Sequence, residues 1–374
     1  MRIRLSAPDI TEKEIQAVCD VLNTPNLALG PKLKEFEQAF CKYTGLKRAV
    51  AVNSGTSGLF LCMEALGIKQ GDEVITTPFT FIASATTIMM AGAKPVFVDI
   101  DPTSLNIDAE KIESRITEKR KALMPVEVFG NPNGMDKVCE IAQKNNLIII
   151  EDSCEALGSS LNGKKAGTFG AMSAFAFYPN KQITTGEGGI ILTDNDDLAD
   201  MCVSLRNQGR GKGSGWLGHV RLGYNYRISD INCAIGIVQL SRIDEIKAKR
   251  RQVANWYQEI LADEDRLIVP TEMQGCDVSW FVFVVRLKDN FTLEQRDNIL
   301  KSMNEQGIQV GNYFPPVHLQ PFMVEKFGYK PGDFPVTESV SKSTIALPFY
   351  NNLTKDKVQI VCQTLKISLD KYSA

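Results

Sequence analysis

The chain has 374 residues, 44% of them hydrophobic, which is enough for one large domain and a smaller one. Its 42 basic and 44 acidic residues nearly cancel, and this balance argues against nucleic acid or an anionic membrane surface as a partner. Nine scattered cysteines without a C-x-x-C pair are typical of reduced thiols in the cytoplasm, and with only two histidines we expect no metal site.

Two helices are predicted at the start of the chain. Residues 11–14 (TEKE) form a candidate capping box, and the apolar side chains of Ile15, Val18 and Leu22 then fall on one helical face. A second helix is predicted over residues 32–43. The segment before them turns polar at once, without an apolar stretch of signal-peptide length, and no run of about 20 apolar residues follows. We therefore expect a cytoplasmic protein without a transmembrane helix.

Between residues 49 and 150, short apolar runs alternate with helical patterns. Strands are predicted at residues 49–52, 73–76, 95–98, 122–126 and 147–150, and helices at residues 56–66, 82–91 and 135–144. Because the strands are nearly continuous runs of apolar residues, the pattern predicts a mainly parallel sheet covered by helices on both faces. The fold class that we expect is α/β.

The second half of the chain has a looser pattern. It contains a glycine-rich loop at 209–218, a long helix at 229–253 (whole or broken), a strand at 280–287, a helix capped at 292–295 and a last helix at 354–369. These elements predict a smaller α+β domain. We place the boundary near residue 250, with a large domain of residues 1–250 and a small domain of residues 251–374.

The segment NSGTSG at 53–58 follows the first predicted strand and opens a helix. In parallel α/β sheets, ligands bind beyond the carboxyl ends of the strands. Glycines let the backbone approach a ligand, and the free N–H groups of a helix N-terminus favour an anion such as phosphate. The segment lacks the Gly-Lys-Ser/Thr ending of a Walker A loop. Taken alone, it is explained better as an ordinary strand-to-helix turn.

Three further side chains, Phe81, Asp152 and Lys181, follow apolar runs in the same way. Taken singly, Phe81 is best explained as a core aromatic residue, Asp152 as a cap and Lys181 as a solvated lysine. Together with the helix N-terminus, they meet the needs of pyridoxal phosphate. That cofactor requires a lysine for its aldehyde, a carboxylate for its pyridinium nitrogen, an aromatic side chain on its ring and a helix N-terminus for its phosphate.

With these features, the sequence resembles the DegT/StrS-type sugar aminotransferases, which belong to the fold-type I pyridoxal-phosphate enzymes. The resemblance covers nearly the whole chain. It rests on NSGT at 53–56, TPFTFIASA at 77–85, EDSCEALG at 151–158, FAFYPNK at 175–181, TTGEGG at 184–189 and GYNYR at 223–227. It implies a large domain with a mainly parallel, seven-stranded-type sheet between helices, and a smaller C-terminal α+β domain.

The resemblance also implies roles for single residues. Lys181 binds the cofactor's aldehyde, Asp152 faces its pyridinium nitrogen and Phe81 stacks on its ring. Gly55 and Thr56 contact its phosphate.

Three further positions follow from the same resemblance. Asn225 is expected to reach the phosphate in a neighbouring subunit, which implies a homodimer with shared active sites; without the resemblance, it would be taken as a turn residue. Glu155 stands near the cofactor's phenolic oxygen, where many members have glutamine or histidine, and we expect a proton to be shared there. Ala176 stands where many members have a serine that contacts the phosphate, so one charge-assisted hydrogen bond, worth about 1.5–3 kcal/mol in general, is missing.

The activity implied is transfer of an amino group from L-glutamate, which becomes 2-oxoglutarate, to a nucleotide-linked keto sugar. Family members that dehydrate sugars have histidine at position 181, so Lys181 favours transamination. The segment at 184–189 favours C-4 of a 4-keto-6-deoxyhexose over C-3, and a cyclitol is a further alternative. A non-catalytic regulator on the same scaffold is disfavoured, because Lys181 is present and no helix-turn-helix is appended.

Candidate contacts to the sugar nucleotide lie in two regions. The first is the glycine-rich loop and the GYNYR segment, and the second is the predicted small domain. The candidates are Arg210, Lys212, Trp216, His219, Arg227, Tyr313 and His318. A solvated loop and an ordinary domain surface explain these residues equally well.

Overall fold

The computed structural model describes residues 2–213, 215, 217–288 and 291–372. Its α-helices are α1 (Glu12–Leu22), α2 (Pro31–Thr44), α3 (Gly55–Ala65), α4 (Ala83–Met90), α5 (Ala109–Ile112), α6 (Met135–Lys144), α7 (Asp196–Arg206), α8 (Asp230–Ser241), α9 (Ile243–Ile260), α10 (Leu293–Glu305), α11 (Pro321–Phe327), α12 (Pro335–Ser343) and α13 (Lys355–Tyr372). Its β-strands are β1 (Arg48–Val52), β2 (Glu73–Thr76), β3 (Lys94–Phe97), β4 (Arg120–Leu123), β5 (Ile148–Asp152), β6 (Ser160–Leu161), β7 (Lys164–Lys165), β8 (Met172–Ala176), β9 (Gly189–Thr193), β10 (Leu267–Ile268), β11 (Cys276–Asp277), β12 (Phe283–Leu287) and β13 (Thr344–Leu347).

The main sheet has seven strands in the order β1-β9-β8-β5-β4-β2-β3. Neighbouring strands are parallel except at β9, which runs antiparallel to both β1 and β8. Alternate residues of β9 enter different cores, because successive side chains of a strand point to opposite faces. Ile191 packs with Leu59, whereas Ile190 packs with Phe36 and Phe40. The expected α/β fold, with a mainly parallel sheet covered on both faces, is confirmed.

Several predicted elements have different bounds in the structure. The predicted strand at 122–126 ends at Leu123, because Pro125 has no N–H to donate to a neighbouring strand. The strand predicted at 147–150 continues to Asp152. The predicted helix at 229–253 is broken at Arg242 into α8 and α9.

The strands β8 and β9 were not among the predicted elements. Their antiparallel pairing explains the omission, because no helix crosses between them and the strand–helix alternation stops at this point. By contrast, the predicted capping box of α1 is present, with the Thr11 N–H donating to Glu14 Oε2 at 2.7 Å.

A second core surrounds the three-stranded sheet β10-β12-β13 and includes side chains of α9, α10 and α13. Ile3, at the other end of the chain, belongs to the same core and pairs with Ile308. The division into domains at residue 250 stays a prediction. None of the described helices is long and apolar enough to cross a membrane.

The carboxyl ends of β1, β2, β5 and β8 lie at one edge of the main sheet, because these strands are parallel to one another. Asp152 ends β5, Ala176 ends β8, and the segment at 53–56 follows β1. The features singled out in the sequence therefore meet at this edge.

Candidate active site

A cavity of about 660 Å³ opens at the carboxyl edge of the sheet. Its walls come from the loops after β1, β2, β5 and β8, and from two segments of the C-terminal region. The lining residues are Ser54, Gly55, Thr56, Leu59, Thr80, Phe81, Ala83, Val126, Asp152, Cys154, Glu155, Ala176, Tyr178, Asn180, Lys181, Glu187, Gly188, Phe281, Asn312, Tyr313, Phe314 and Pro315. All the residues predicted to hold the cofactor line this cavity except Asn225.

The N-terminus of α3 forms one wall. Ser54 caps the helix by accepting the N–H of Ser57 at 3.1 Å. A Cβ on Gly55 would lie 2.6 Å from Cβ of Ala176 and 2.9 Å from Sγ of Cys154, so a side chain at this position would clash with the neighbouring strand end. A glycine here keeps the helix N-terminus close to the end of β8, as an anion-binding turn requires.

Asp152 is held from two sides at the base of the cavity. The Ser84 hydroxyl donates to its Oδ2 at 2.6 Å, and the Cys154 N–H donates to its Oδ1 at 3.3 Å. Ser84 in turn lies 2.8 Å from the Thr80 hydroxyl. This buried carboxylate has a fixed orientation, which suits it to pair with a positive ring nitrogen.

The Lys181 amine lies between a carboxyl group and an aromatic ring. Its Nζ is 3.5 Å from Oε1 of Glu155 and 4.0 Å from the centroid of Phe281. Burial raises the pKa of Glu155, although the charge of Lys181 and the Phe129 N–H, which donates to Oε2 at 2.9 Å, act in the opposite direction. A raised pKa favours the protonated form of this carboxyl group.

Phe81 presents an open aromatic face to the cavity, since 59% of its surface is exposed. Tyr313 and Asn312 line the cavity from the C-terminal region. An amine, an oriented carboxylate, an accessible ring and a helix N-terminus thus surround one space. The donor set fits pyridoxal phosphate, with Lys181, Asp152, Phe81, Gly55 and Thr56 as the residues that would hold it.

The cavity lining of this single chain does not include Asn225, Arg227, Arg210 or His219. Asn225 lies opposite Asn207 in an antiparallel bridge, which the flanking main-chain hydrogen bonds from Gln208 N–H to Tyr224 O (2.8 Å) and from Tyr226 N–H to Arg206 O (3.0 Å) hold in place. Arg227 Nη1 donates to Asn207 Oδ1 at 3.0 Å. Arg210 pairs with His219, whose Nδ1 lies 2.8 Å from the carbonyl oxygen of Gln208.

The remaining predicted substrate contacts lie in different surroundings. Tyr313 lines the cavity, as stated above, and Lys212 is 94% exposed at its side chain. Trp216 lies outside the described residues.

His318 requires a correction. It is fully buried, with Nε2 3.1 Å from Oε1 of Glu338 and its ring edge-on to Phe334, and it does not line the cavity. Burial also lowers its pKa, although Glu338 opposes this shift. The expectation that His318 contacts the substrate is therefore wrong for this arrangement of the chain.

Sequence reasoning missed two residues of the site. Ser84 lies within the TPFTFIASA segment, one helical turn after Phe81, and that spacing was the signal that could have found it. Phe281 follows Lys181 by 100 positions and belongs to no motif, so only the folded chain brings it to the amine.

The fold and the site define a fold-type I pyridoxal-phosphate enzyme. The sequence profile of the DegT/DnrJ/EryC1/StrS aminotransferase family matches residues 8–366. The chain belongs to this family, as the resemblance implied.

Among its relatives, the GDP-perosamine synthase of Caulobacter vibrioides is 38% identical, over 97% of each chain. Among solved structures, PseC of Helicobacter pylori, an aminotransferase involved in pseudoaminic acid biosynthesis, is 28% identical with a TM-score of 0.95 over all of both chains. Spr1654 of Streptococcus pneumoniae, assigned as a sugar aminotransferase and solved in its PMP and PLP forms, is also 28% identical, with a TM-score of 0.95 over all of this chain and 98–100% of that one. The protein is accordingly a pyridoxal-phosphate-dependent sugar aminotransferase, and the cofactor expected from the sequence is confirmed.

Proposed function

We propose that the protein transfers an amino group from L-glutamate to C-4 of a nucleotide-linked 4-keto-6-deoxyhexose, in the biosynthesis of an amino sugar for a surface polysaccharide or other glycan. The observation that carries the proposal is the Lys181 amine, which lies inside the cavity beside Glu155. The C-4 position is supported by the TTGEGG segment that follows Lys181 and by the similarity to GDP-perosamine synthases.

When bound, pyridoxal phosphate supplies an aldehyde that takes the amino group and a ring that accepts electrons. We assign to Lys181 the attachment of the cofactor and, once its amine is released, the movement of a proton at Nζ. Asp152 orients the ring by pairing with its nitrogen, and Ser84 fixes Asp152. Gly55 and Thr56 offer the N-terminus of α3 to the phosphate.

Glu155 is assigned the proton that is shared near the phenolic oxygen. Glu155 is 6% exposed, and the raised pKa of its carboxyl group favours the neutral form. A neutral carboxyl group can donate a hydrogen bond to an ionised oxygen, whereas a carboxylate would repel it.

We further propose a homodimer with shared active sites, in which Asn225 of the partner subunit completes the phosphate site. The loop beside Asn225 exposes several large apolar side chains: Leu217 is 73%, Val220 58% and Leu222 81% exposed. Exposed apolar patches of this kind mark interaction surfaces.

The same contact would bring the loop that carries Arg210, His219 and Arg227 towards the neighbouring cavity. There, the two arginines suit a diphosphate group. Tyr313 is assigned to the sugar from within the same chain. We place this reaction in the cytoplasm.

The test begins with the holoenzyme in single-turnover absorbance measurements. L-glutamate should convert the pyridoxal form to the pyridoxamine form, and a 4-keto-6-deoxyhexose linked to GDP, dTDP or UDP should reverse the change. NMR of the product should show the new amine at C-4. A holoenzyme that is indifferent to L-glutamate contradicts the proposed donor, and reversal by 3-keto sugars alone contradicts the C-4 position.

The attachment site is tested separately. Reduction of the holoenzyme with borohydride should leave the cofactor on Lys181, as identified by peptide mass spectrometry. The variant Lys181→Ala should carry no such adduct and should show no turnover.

A further inference from the structure

Arg250 is a buried arginine in α9 that uses main-chain carbonyls, rather than a carboxylate, as hydrogen-bond partners. The residue is only 2% exposed, and burial lowers the pKa of its guanidinium to about 10, although the charge of Asp9 acts in the opposite direction. Burying a cation without a carboxylate in hydrogen-bond contact is costly. The free-energy cost of burying this guanidinium indicates that Arg250 has a specific role in the protein.

The carbonyls that Arg250 binds belong to two distant parts of the chain. Nη2 donates to the Lys181 oxygen at 2.9 Å, and Nη1 donates to the oxygens of Trp280 and Phe281 at 3.0 and 3.1 Å. Because the guanidinium is planar and rigid, the directions of its N–H groups are fixed relative to one another. Arg250 therefore fixes the main chain of Lys181 relative to the segment that precedes β12.

The main chain at Trp280 is adapted to this contact. Trp280 has φ 53°, a left-handed conformation that is unfavourable for a residue other than glycine. Neighbouring hydrogen bonds hold it there, since the Ser279 N–H donates to Ser159 Oγ at 2.9 Å and Gln182 Nε2 donates to Ser279 Oγ at 2.8 Å. In this conformation, the successive carbonyls of Trp280 and Phe281 both face Nη1 of Arg250.

This arrangement places the ring of Phe281 against the Lys181 amine. The ring centroid lies 4.0 Å from Nζ, and Phe281 is 2% exposed. An ammonium group over an aromatic face is stabilised by the ring quadrupole, most strongly where water is excluded. The Phe281 ring can therefore receive the amine whenever it is free of the cofactor.

We propose that Arg250 is a positioning residue for Lys181. Arg250 fixes the position of the Phe281 ring relative to the main chain of the lysine. The inference rests on the proposed role of Lys181 as the group that holds the cofactor and moves the proton. With the ring fixed, the released amine stays within reach of the reacting carbon. Small misplacements of a catalytic group can cost about 100-fold in rate.

The test compares Arg250→Lys and Phe281→Leu with the unaltered protein. Arg250→Lys keeps a charge but loses the planar fork, and Phe281→Leu keeps an apolar side chain but loses the ring. Both should lower kcat of the holoenzyme by about 10- to 100-fold, with much smaller changes in KM for either substrate. In cofactor-free protein, an amine-acetylating reagent should modify Lys181 several-fold faster, because the amine is no longer held over the ring.

The double variant adds a second requirement. If Arg250 acts through Phe281, the double variant should be no slower than the slower single variant, since residues that act as a unit are not additive.

Arg296→Lys is the matched control. Arg296 is also buried, at 3% exposure, and its Nη1 donates to the main-chain oxygens of Ser341 and Thr344 at 3.0 and 3.2 Å, neither of which lines the cavity. Its Nε donates to Asp297 Oδ1 at 2.8 Å. Its replacement should lower Tm without altering kcat or the modification of Lys181.

The proposal is overturned if Arg250→Lys behaves like this control, with a lower Tm alone. If the Arg250 variant does not fold, Phe281→Leu decides, and an unchanged kcat with unchanged modification of Lys181 overturns the proposal. Failure of the proposed function is a different result: the unaltered holoenzyme would then lack the borohydride adduct on Lys181, while the modification rates could still be compared.

Discussion

The Ser84 hydroxyl donates a 2.6 Å hydrogen bond to Oδ2 of Asp152, which links the N-terminal part of α4 to the end of β5. The bond is buried, and Thr80 supports Ser84 at 2.8 Å. Asp152 therefore keeps one orientation towards the cavity. In the proposed reaction, this orientation lets the carboxylate stabilise positive charge on the cofactor's ring nitrogen.

Ser84→Ala should weaken catalysis without unfolding the protein. A hydrogen bond to a charged group contributes about 1.5–3 kcal/mol, so we expect kcat/KM to fall by about 10- to 100-fold if the bond serves the transition state. Asp152→Asn should cost more, because it removes the charge itself. Steady-state kinetics and thermal unfolding of each variant provide the measurement.

Ser368→Ala is a suitable comparison for Ser84→Ala. Ser368 is fully buried and lies 3.1 Å from the Ser302 hydroxyl in the second core, away from the cavity. It should lose stability and keep full activity. A Ser84→Ala protein with the same profile would show that the contact with Asp152 is only structural.

Much of the site was predictable because its residues are local to strand ends. A residue at the carboxyl end of a parallel strand must lie at one edge of the sheet, so the position of Asp152 was predictable from the sequence alone. The predicted parallel sheet likewise followed from apolar strands that alternate with helices.

Contacts between distant segments could not be predicted in this way. Phe281 reaches Lys181 through the packing of the C-terminal region, which no local pattern encodes. His318 was misplaced for the same reason: it was taken as a substrate contact or a residue of the domain surface, whereas Glu338 and Phe334 enclose it. A polar side chain is buried when a partner is available, and the partner is 20 residues away.

The contact between Gly55 and Ala176 predicts opposite effects of two substitutions. Gly55→Ala would place a Cβ 2.6 Å from Cβ of Ala176 and push α3 away from β8, so cofactor retention should fall. Ala176→Ser adds a hydroxyl near the proposed phosphate site and should increase retention of the cofactor. A charge-assisted hydrogen bond there would strengthen cofactor binding by up to about 1.5–3 kcal/mol. Cofactor release during dialysis, followed by absorbance, measures both effects.

The variant Gly67→Ala separates this effect from the general cost of replacing a glycine. A Cβ on Gly67 would meet no atom within 4 Å, although its φ of 69° makes alanine strained there. It should lower Tm and leave cofactor retention unchanged. Equal cofactor loss from Gly55→Ala and Gly67→Ala would argue against a phosphate site at α3.

Glu127 predicts a dependence of stability on pH. It is 1% exposed, and burial, with the nearby Glu151 as a further cause, raises its pKa well above the ordinary value. The unfolded chain releases this proton at a lower pH than the folded chain does. The contribution of the Glu127 proton to the free energy of unfolding is therefore fully present below the ordinary pKa of 4.5 and decreases as the pH rises above it. Glu127→Gln should therefore raise Tm relative to the unaltered protein at pH 8, with a smaller difference at pH 5.

Glu151, which is fully buried, titrates in the same direction, and burial raises its pKa to about 7. It adds to the slope between pH 4.5 and 7. Glu140→Gln, on the exposed face of α6, should leave the pH profile unchanged. A Glu127→Gln protein whose Tm stays parallel to the unaltered protein across this range would show that the carboxyl group carries no buried proton.

Shared active sites predict that an inactive variant and a weakened variant can complement each other. Lys181→Ala lacks the amine, and Asn225→Ala lacks the group that we assign to the phosphate site of the partner subunit. In a mixed dimer, one site combines both defects, while the other combines an intact Lys181 with an intact Asn225. Subunits that are mixed, unfolded and refolded together should therefore regain activity, approaching one quarter of the unaltered protein if pairing is random, because half of the dimers then have one intact site of two. Asn225→Ala alone must first show weakened cofactor retention for this comparison to be made. If it does and the mixture is no more active than Asn225→Ala by itself, Asn225 serves the site of its own chain, and the dimer does not share its active sites through this residue.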